Sequence, residues 1–233
     1  MDEVLHKFPS TPHLTWLGQE SVRDDKVLTP AEAREFLSGT VVVEEKVDGA
    51  NLGLSFDPGS QLRFQNRGNW LAGKLTGQWE RLRGWAVDHE AGLRDNLPSG
   101  HILFGEWCYI KHSIKYDCLP DWFLVFDVYD CREQKFWSVR RRDALAAAAH
   151  LATVPRLSIG RFSPADLRTI LDGRSGLSSG GPREGIYLRR EKDDWLLRRA
   201  KLVQPGFTQT ITVHWTREGL VANELCASAI PPN

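Results

Sequence analysis

The chain has 233 residues, of which 41% are hydrophobic and 26% are charged, and its formal net charge is zero. This is an ordinary globular mixture, and the chain is long enough to bury a sizeable core. A zero net charge provides no global field for a polyanionic partner, so a nucleic-acid site would need a local cluster of basic side chains.

The cysteines and the apolar runs indicate the cellular compartment of the protein. No two of the four cysteines form a CxxC pair, which argues against a zinc knuckle and predicts reduced thiols. No apolar run approaches the ~20 residues that a membrane span needs. The N-terminal MDEVLHKF lacks the apolar core of a signal peptide. We therefore expect a cytoplasmic protein with no membrane partner.

The first predicted elements surround a capping box. Thr29 and Glu32 have the spacing of such a box, with Pro30 at the first helical position, which predicts a helix over residues 30–38. The β-branched run VVVEEKV predicts a strand over 41–47. Two further strands are predicted over residues 51–56 and 61–67.

The remaining elements alternate irregularly along the chain. Apolar spacing predicts a helix over 75–93, and further helices are predicted over 139–151 and from Ser163 to about Gly173. Strands are predicted over residues 101–109, 122–130, 185–191 and 194–203. Because the elements do not repeat as strand–helix–strand units, we expect an α+β fold with antiparallel sheets flanked by helices.

Lys46 stands where the strand VVVEEKV meets the turn Asp48-Gly49. This position directs its side chain from a strand end into whatever lies above. Taken alone, the short pattern Lys-x-Asp-Gly more often marks a turn with an exposed lysine than a nucleophile.

Further short elements follow this lysine in a fixed order. They are VDGAN (47–51), NRG (66–68), FGE (104–106), FD (126–127), EGI (184–186) and RAK (199–201). Together they resemble the covalent nucleotidyltransferases, which include ATP-dependent RNA and DNA ligases and mRNA capping enzymes. Within that superfamily the chain is most similar to the RNA ligase 2 group and its small bacterial relatives.

The resemblance implies the domain organisation. We expect a single nucleotidyltransferase domain over residues 1–233, with its motifs within 44–201 and a C-terminal extension over 202–233. Only 32 residues follow Lys201, too few for the oligonucleotide-binding (OB) domain that capping enzymes and most DNA ligases carry. We therefore expect no C-terminal OB domain.

The chemistry of Lys46 can be argued from its neighbours. A lysine attacks an α-phosphate only after losing its proton, and its reference pKa is about 10.4. Nearby cations and partial desolvation lower such a pKa. We expect Arg199 and Lys201 to supply this charge and to hold the phosphate oxygens. The family usually has Lys-x-Lys here, and arginine is a wide fork rather than a point donor, so we assign the phosphate contact to Lys201 in preference to Arg199.

The resemblance implies roles for four residues on the nucleophile's side of the site. Asp48 would shape the pocket, and Glu45 would help place adenine through its backbone. Asn51 would contact phosphate or a metal-bound water, although a solvated strand start is the simpler interpretation. Arg67 would contact AMP or the nucleic-acid end, although it could equally be a surface arginine of a hairpin.

Three residues complete the implied site. Glu106 lies in the apolar run ILFGEWCY, where a carboxylate needs a partner, and the resemblance assigns it to the ribose hydroxyls. Phe126 would stack on adenine, with a core residue as the alternative. Glu184 would bind Mg²⁺ directly or through water, with an exposed turn as the alternative.

Basic clusters outside these motifs are less specific. We interpret Arg140-Arg141-Arg142 as a solvated helix face rather than an RNA groove. A loop after Glu106 could grip phosphates and stack a base, and three further arginines could extend that surface. These residues are Lys111, His112, Lys115 and Tyr116 in the loop, and Arg189, Arg190 and Arg198 beyond it.

The implied function is an ATP-dependent polynucleotide ligase, with RNA favoured by family likeness alone. Lys46, Lys201 and Glu184 would be catalytic, with ATP and Mg²⁺, or alternatively Mn²⁺, as cofactors. The partners would be RNA 5′-phosphate and 3′-hydroxyl ends, with duplex nicks and a strand-binding partner protein also considered. The alternatives are a GTP-dependent capping-type guanylyltransferase and a non-catalytic RNA-binding descendant of the fold.

Overall fold

The computed structural model describes residues 5–18, 27–209 and 220–227. The helices of these ranges are α1 (Pro30–Leu37), α2 (Leu82–Asn96), α3 (Val139–Ala148), α4 (Pro164–Leu171) and α5 (Pro205–Gln209), with a 3₁₀ turn at Gly77–Trp79. The strands are β1 (Val41–Lys46), β2 (Ala50–Phe56), β3 (Leu62–Gln65), β4 (His101–Trp107), β5 (Phe123–Asp130), β6 (Lys135–Phe136), β7 (Arg156–Gly160), β8 (Gly185–Lys192) and β9 (Trp195–Val203).

The strands form two antiparallel sheets, as expected for the α+β fold. The first sheet has the order β7-β1-β8-β9 and the second has the order β3-β2-β4-β5-β6. The chain passes from the first sheet to the second at the turn between β1 and β2, which is the Asp48-Gly49 turn. Lys46 therefore lies at the junction of the two sheets.

Each sheet buries one face against helices. Side chains of α1 and α4, such as Phe36 and Leu167, pack with Val43 and Leu188 of the first sheet. On the second sheet, α2 contributes Leu82, Trp85 and Leu93 to a core that also contains residues of β2, β4, β5 and α3. The predicted capping box of α1 is present, and α4 also begins with one: Thr29 and Ser163 accept hydrogen bonds from the third helical residue.

Alternation along β1 fixes what faces the cleft between the sheets. Successive side chains of a strand point to opposite faces. Val41 and Val43 enter the helix-covered core, so Glu44 and Lys46 face the other way. In the ladder Glu44 is opposite Tyr187, which is opposite Lys201. The open face of the first sheet therefore carries a row of polar side chains.

The helix predicted over residues 75–93 begins later than expected. Gly77 has a positive φ of 61°, which an α-helix of L-residues does not accommodate, and its neighbours form only a 3₁₀ turn. The apolar spacing was misleading here because Leu75 and Trp79 pack on the core from this turn, whereas Val87 is 77% exposed. Strands β6 and β7 and helix α5 were not predicted.

The cysteines also differ from expectation. Cys118 and Cys226 form a disulfide, whereas Cys108 and Cys131 are not disulfide-bonded. Their separation of 108 residues made the pairing invisible to a search for short-range patterns.

No helix in the described ranges is both long and apolar enough to cross a membrane. Within the predicted extension 202–233, residues 210–219 and 228–233 lie outside the described residues.

Candidate active site

A cleft of about 380 Å³ lies between the two sheets, with Lys46 in its wall. The Lys46 Nζ donates to Glu184 Oε2 at 2.5 Å. Register explains the contact, because Lys46 is opposite Gly185 in the β1–β8 ladder and Glu184 directly precedes that glycine. A Cβ at Gly185 would lie 2.4 Å from the Leu202 carbonyl oxygen, so only glycine permits the close approach of β8 and β9 here.

The charge around Lys46 is the reverse of the predicted environment. Burial, the largest effect, lowers the pKa of Lys46, but the carboxylates of Glu184, Asp48 and Glu106 together raise it by more, so this pKa lies above its ordinary value. Burial has the opposite effect on a carboxyl and raises the pKa of Glu184, although the charge of Lys46 lowers it in part. The expectation that neighbouring cations lower the pKa of Lys46 is therefore wrong for this arrangement, in which carboxylates predominate.

The two cations of the RAK motif lie in different surroundings. Lys201 lines the cleft. Arg199 donates to Asp127 Oδ2 at 3.1 Å and packs over the rings of Phe8 and Phe136, 4.9 and 4.0 Å from their centroids. The structure thus brings Lys201 to the site, whereas Arg199 is held by a carboxylate and two aromatic rings.

The Asp48-Gly49 turn is fixed by groups from the second sheet and the loop after β4. Asp48 Oδ2 accepts from the amides of Ser113 and Ile114 at 2.6 and 3.1 Å, and the Gly49 amide donates to Glu106 Oε1 at 3.1 Å. A Cβ at Gly49 would lie 2.6 Å from the Trp107 carbonyl oxygen. The turn therefore accepts only glycine at this position, and Asp48 shapes the pocket through the backbone of the loop.

Glu106 is a half-buried carboxyl in the same wall. Its strand position places it opposite Asn51 in the β2–β4 ladder. Burial, opposed by Lys46 and reinforced by Asp48 and Glu184, raises its pKa to about 8. The protonated form of this carboxyl can donate a hydrogen bond as well as accept one.

Asn51 and Arg67 line the cleft from β2 and from the loop after β3. The Asn51 Oδ1 is buried with no protein hydrogen-bond partner in the described residues. A buried amide oxygen without a partner is costly, so this atom has the capacity to accept a hydrogen bond from a ligand group or a metal-bound water. Arg67 is exposed at the rim.

Phe126 occupies a β-bulge. In the β4–β5 ladder Phe104 is opposite Asp127 and Gly105 is opposite Val125, which leaves Phe126 without a partner residue. Bulges redirect a side chain, and they are frequent beside active sites. The Phe126 ring lines the cleft and meets the Phe8 ring edge-on, with centroids 5.2 Å apart. The two predicted alternatives, a core residue and a cleft residue, do not exclude each other, because Phe126 packs on its neighbours and also lines the cleft.

The carbonyl of this bulge is held by buried arginines. Phe126 O accepts from Arg142 at 2.8 Å and from Arg189 at 3.3 Å. Arg142 also pairs with Glu44 at 2.6 Å, and Arg189 pairs with Asp127 at 2.5 Å. These charged side chains are at most 1% exposed. They form a buried ion cluster that joins the two sheets and α3 at the base of the cleft.

This cluster corrects two interpretations of the basic residues. Arg142 and Arg189 are buried structural groups, not a solvated helix face or an RNA-binding surface. Arg190 donates to the carbonyl oxygens of Glu35 and Phe36 at the end of α1. Side-chain burial of an arginine depends on partners far away in the chain, so the local sequence did not reveal it.

The loop after Glu106 also differs from expectation. Tyr116 is fully buried, and its hydroxyl accepts from the Asp48 amide at 2.9 Å, so it cannot stack on a base. Lys115 pairs with Glu224 at 2.8 Å, and a ring nitrogen of His112 lies 2.9 Å from Gln78 Oε1. The loop supports the Asp48 turn, and a phosphate contact of Lys111 or Lys115 stays a prediction.

Glu45 directs its side chain away from the cleft. It accepts from Ser175 Oγ at 2.5 Å and from the Gly176 amide at 3.3 Å. The residue still lines the cleft, and its backbone amide donates to the Pro155 carbonyl oxygen at 2.8 Å. The backbone contact with adenine that the resemblance implied stays a prediction.

Several cleft residues were not identified from the sequence. Glu44 shares a face with Lys46, and alternation along β1 could have identified it. Tyr187 lies opposite Glu44, and its hydroxyl is 3.1 Å from Thr11 Oγ1. Phe8 and Thr11 belong to an N-terminal segment that crosses the cleft floor, and its sequence carries no motif that would have located it there.

The oxygen atoms of the cleft fit a divalent ion that arrives with phosphate. The described residues hold no group of three or more His, Cys, Asp or Glu side chains able to bind a metal on their own. Mg²⁺ is usually held by one or two carboxylates together with substrate phosphates and water. Glu184 and the unpartnered Asn51 Oδ1 supply this kind of partial site.

The profile of the RNA ligase family matches residues 39–203, which include every motif described above and most of the chain. The chain belongs to the RNA ligase family. The match is to the family as a whole, and the narrower RNA ligase 2-like group stays a prediction. No curated protein sequence matches the chain.

Solved structures with a similar fold include three of Naegleria gruberi RNA ligase. A mutant described as apo has a TM-score of 0.63 at 15% identity, covering 90% of this chain and 60% of that one. A mutant with ATP and Mn has a TM-score of 0.63 at 19% identity, covering 91% and 62%. A mutant with AMP and Mn has a TM-score of 0.62 at 16% identity, covering 89% and 58%. This member of the RNA ligase family thus spans about 60% of the length of these structures, and at such identities the likeness concerns the fold.

Proposed function

We propose that this RNA ligase family member is an ATP-dependent ligase that seals RNA 5′-phosphate and 3′-hydroxyl ends through lysyl-AMP on Lys46. The observation that carries the proposal is the position of this lysine in the cleft, 2.5 Å from Glu184 and beside Asp48 and Glu106. An exposed surface lysine would have no reason for three carboxyl neighbours. In the family fold, this arrangement suits a nucleophile that is ion-paired at rest.

In the first step the Lys46 amine attacks the α-phosphorus of ATP. A phosphorus–nitrogen bond forms, the bond from the α-phosphorus to the bridging oxygen breaks, and pyrophosphate leaves with that electron pair. The ammonium must first release a proton, and Glu184 Oε2 is its hydrogen-bonded acceptor. Burial raises the pKa of Glu184, which favours this transfer.

The two walls of the cleft divide the work of binding ATP. Lys201 holds phosphate oxygens as charge develops in the transition state. Phe126 stacks on adenine, Glu106 contacts the ribose hydroxyls, and Asn51 would contact phosphate or a metal-bound water. A bound divalent ion supplies charge neutralisation for the phosphates, and Glu184 and Asn51 are the residues that would contact it or its waters.

The later steps use the stored adenylyl group. An oxygen of the RNA 5′-phosphate attacks the AMP phosphorus, the phosphorus–nitrogen bond breaks, and Lys46 regains its proton. The RNA 3′-hydroxyl then attacks the activated 5′-phosphorus and loses its proton, while AMP departs. Arg67, exposed at the rim, is placed to contact the incoming end. A phosphodiester bond is the product.

Labelling with α-labelled nucleotide tests the first step. We expect a covalent adduct with ATP and Mg²⁺ or Mn²⁺, its loss in Lys46→Ala, and its retention in the exposed-lysine control Lys74→Ala. Adduct formation with GTP alone would favour a capping-type guanylyltransferase, and no adduct with either nucleotide would favour a non-catalytic RNA-binding protein. Peptide mass spectrometry would locate the adduct.

A panel of ends tests the substrate. RNA, DNA and hybrid nicks, and single-stranded ends, would be joined under the same conditions with ATP. We expect the fastest sealing when the 3′-hydroxyl strand is RNA, and an equal rate with DNA 3′-ends would contradict the RNA assignment. Addition of cell extract would reveal a strand-binding partner as a stimulated rate. RNA repair in the cytoplasm is the proposed setting.

A further inference from the structure

Residues 220–227, which we call the clamp segment, pack along the loop of residues 108–119 that follows β4. The two pieces of chain exchange backbone hydrogen bonds of 2.8 to 3.0 Å. The donor–acceptor pairs are Lys111 N to Val221 O, Asn223 N to Tyr109 O, Glu224 N to Tyr116 O, Leu119 N to Glu224 O and Cys226 N to Leu119 O. The Cys118–Cys226 disulfide adds a covalent link at one end. This loop therefore takes its shape from a partner distant in sequence.

Asn223 is the side chain at the centre of this contact. It is 3% exposed, its Oδ1 accepts from the Tyr116 amide at 2.9 Å, and its Nδ2 donates to the Cys108 carbonyl at 2.8 Å. Cys108 begins the loop, and Tyr116 lies near its end. One amide group thus fastens the two ends of the loop to each other.

The fastened loop in turn holds the turn beside the nucleophile. Between the two ends, the amides of Ser113 and Ile114 donate to Asp48 Oδ2. The Tyr116 hydroxyl accepts from the Asp48 amide. Asp48 is therefore bound to the loop through its side chain and its backbone, and it is two residues from Lys46.

We propose that Asn223 is a positioning residue for the adenylylation of Lys46. The inference rests on the proposed function, since it concerns the rate of that step. Asn223 fixes the loop, the loop fixes Asp48, and Asp48 fixes the end of β1 from which the nucleophile projects. Small displacements of a nucleophile are costly, and about 1 Å can reduce a rate by about a hundredfold.

The chain offers a matched control beside this residue. Glu224 lies in the same segment, its side chain is 65% exposed, and it pairs with Lys115 at the surface. Glu224→Gln removes that exposed ion pair but leaves the backbone hydrogen bonds of the clamp segment in place. Asn223→Ala removes both buried side-chain hydrogen bonds from the adjacent position.

The experiment is single-turnover labelling of the full chain with α-labelled ATP over a range of ATP concentrations. We expect Asn223→Ala to reduce the maximal rate by about tenfold to a hundredfold. We expect its half-saturating ATP concentration to stay within about twofold of the original, since the affected element positions the nucleophile rather than binding the nucleotide. Glu224→Gln should match the unmodified protein in both quantities.

A second variant protects the test against a failure to fold. Tyr116→Phe removes only the hydroxyl that accepts from the Asp48 amide, and circular dichroism and thermal melting would establish that each variant is folded. We expect this change to lower the maximal rate in the same direction as Asn223→Ala. If Asn223→Ala does not fold, Tyr116→Phe alone decides.

The outcomes separate the inference from the proposed function. Absence of labelling in the unmodified protein would overturn the proposed function itself. Labelling of the unmodified protein, with folded Asn223→Ala and Tyr116→Phe variants as fast as Glu224→Gln, would overturn only the positioning role. A raised half-saturating ATP concentration with an unchanged maximal rate would also overturn it, because the segment would then act on nucleotide binding.

Discussion

The two walls of the cleft differ in chemistry. The first sheet presents charged groups on its open face, including Lys46, Glu44 and Lys201. The second sheet presents a ring on a β-bulge, Phe126, and a carboxyl whose burial raises its pKa to about 8, Glu106. Of these groups the amines of Lys46 and Lys201 suit phosphates, and a ring suits a base, so under the proposed function a nucleotide would lie with its phosphates near these amines and its adenine near Phe126. A change on each wall should therefore affect a different kinetic quantity.

The largest expected effect concerns the phosphate wall. Lys201→Ala should lower the maximal rate of lysine labelling by about a hundredfold or more, as for the loss of a donor that stabilises a transition state. Arg199→Lys is the comparison, because Arg199 contacts Asp127 rather than the cleft, and its rate should fall much less. Equal losses in rapid-quench measurements would show that both cations act on the phosphates.

The next effect concerns the junction of the walls. Gly49→Ala would place a Cβ 2.6 Å from the Trp107 carbonyl oxygen, and this crowding should reduce the free energy of unfolding by about 1–3 kcal/mol. Gly68→Ala is the control, since nothing lies within 4 Å of the added Cβ. Urea denaturation of both variants measures the difference, and a Gly49→Ala variant as stable as Gly68→Ala would contradict the close approach of the walls.

On the adenosine wall, Phe126→Ala should act on affinity. Loss of base stacking costs about 1–3 kcal/mol, so the half-saturating ATP concentration should rise by about tenfold while the maximal rate changes little. The same rapid-quench assay gives both numbers. A lower maximal rate with unchanged ATP dependence would assign Phe126 to the core rather than to the base.

The smallest effect, taken per pH unit, is a pH dependence of stability. The pKa of the Glu106 carboxyl is about 8 in the fold against an ordinary 4.5, so the folded state binds its proton more tightly than the unfolded chain. Its contribution to stability is complete below the unfolded pKa and is lost as pH rises through the folded pKa. Between these two values the slope should be about 1 kcal/mol per pH unit.

Substitution isolates this contribution. Glu106→Gln should remove the slope, whereas Glu133→Gln, on an exposed turn, should leave it unchanged. Urea denaturation from pH 5 to 8 in roughly unit steps measures the slopes. If the free energy of unfolding of Glu106→Gln and of the unmodified protein changed with pH in parallel, the raised pKa would belong to a group other than Glu106.

Local sequence signals correctly predicted the helices and strands whose boundaries depend on neighbouring residues alone. The capping box at Thr29 and the helix start at Ser163-Pro164 placed α1 and α4 to within about two residues, and the β-branched run before Lys46 placed β1. The ordered motifs identified the family, because six short matches in a fixed order are far more specific than any one of them, and the family match covers all six.

Long-range pairing accounts for what the sequence did not reveal. Arg142 looked solvated because its partner Glu44 is 98 residues away. The raised pKa of Lys46 arises from carboxylates on three separate elements. Strand β7 has a mostly half-exposed pattern with little alternation to detect. These features depend on which segments meet, a property of the whole fold that no short window contains.

The buried ion cluster at the base of the cleft has a mechanical consequence. Separating Glu44 from Arg142, or Asp127 from Arg189, would leave charges stranded away from water at a cost of about 3–5 kcal/mol for each broken pair. The buried ion cluster therefore opposes separation of the two sheets at the base of the cleft during turnover. We therefore expect any opening of the cleft that admits ATP or an RNA end to occur at its outer rim, where Arg67 and the turns lie.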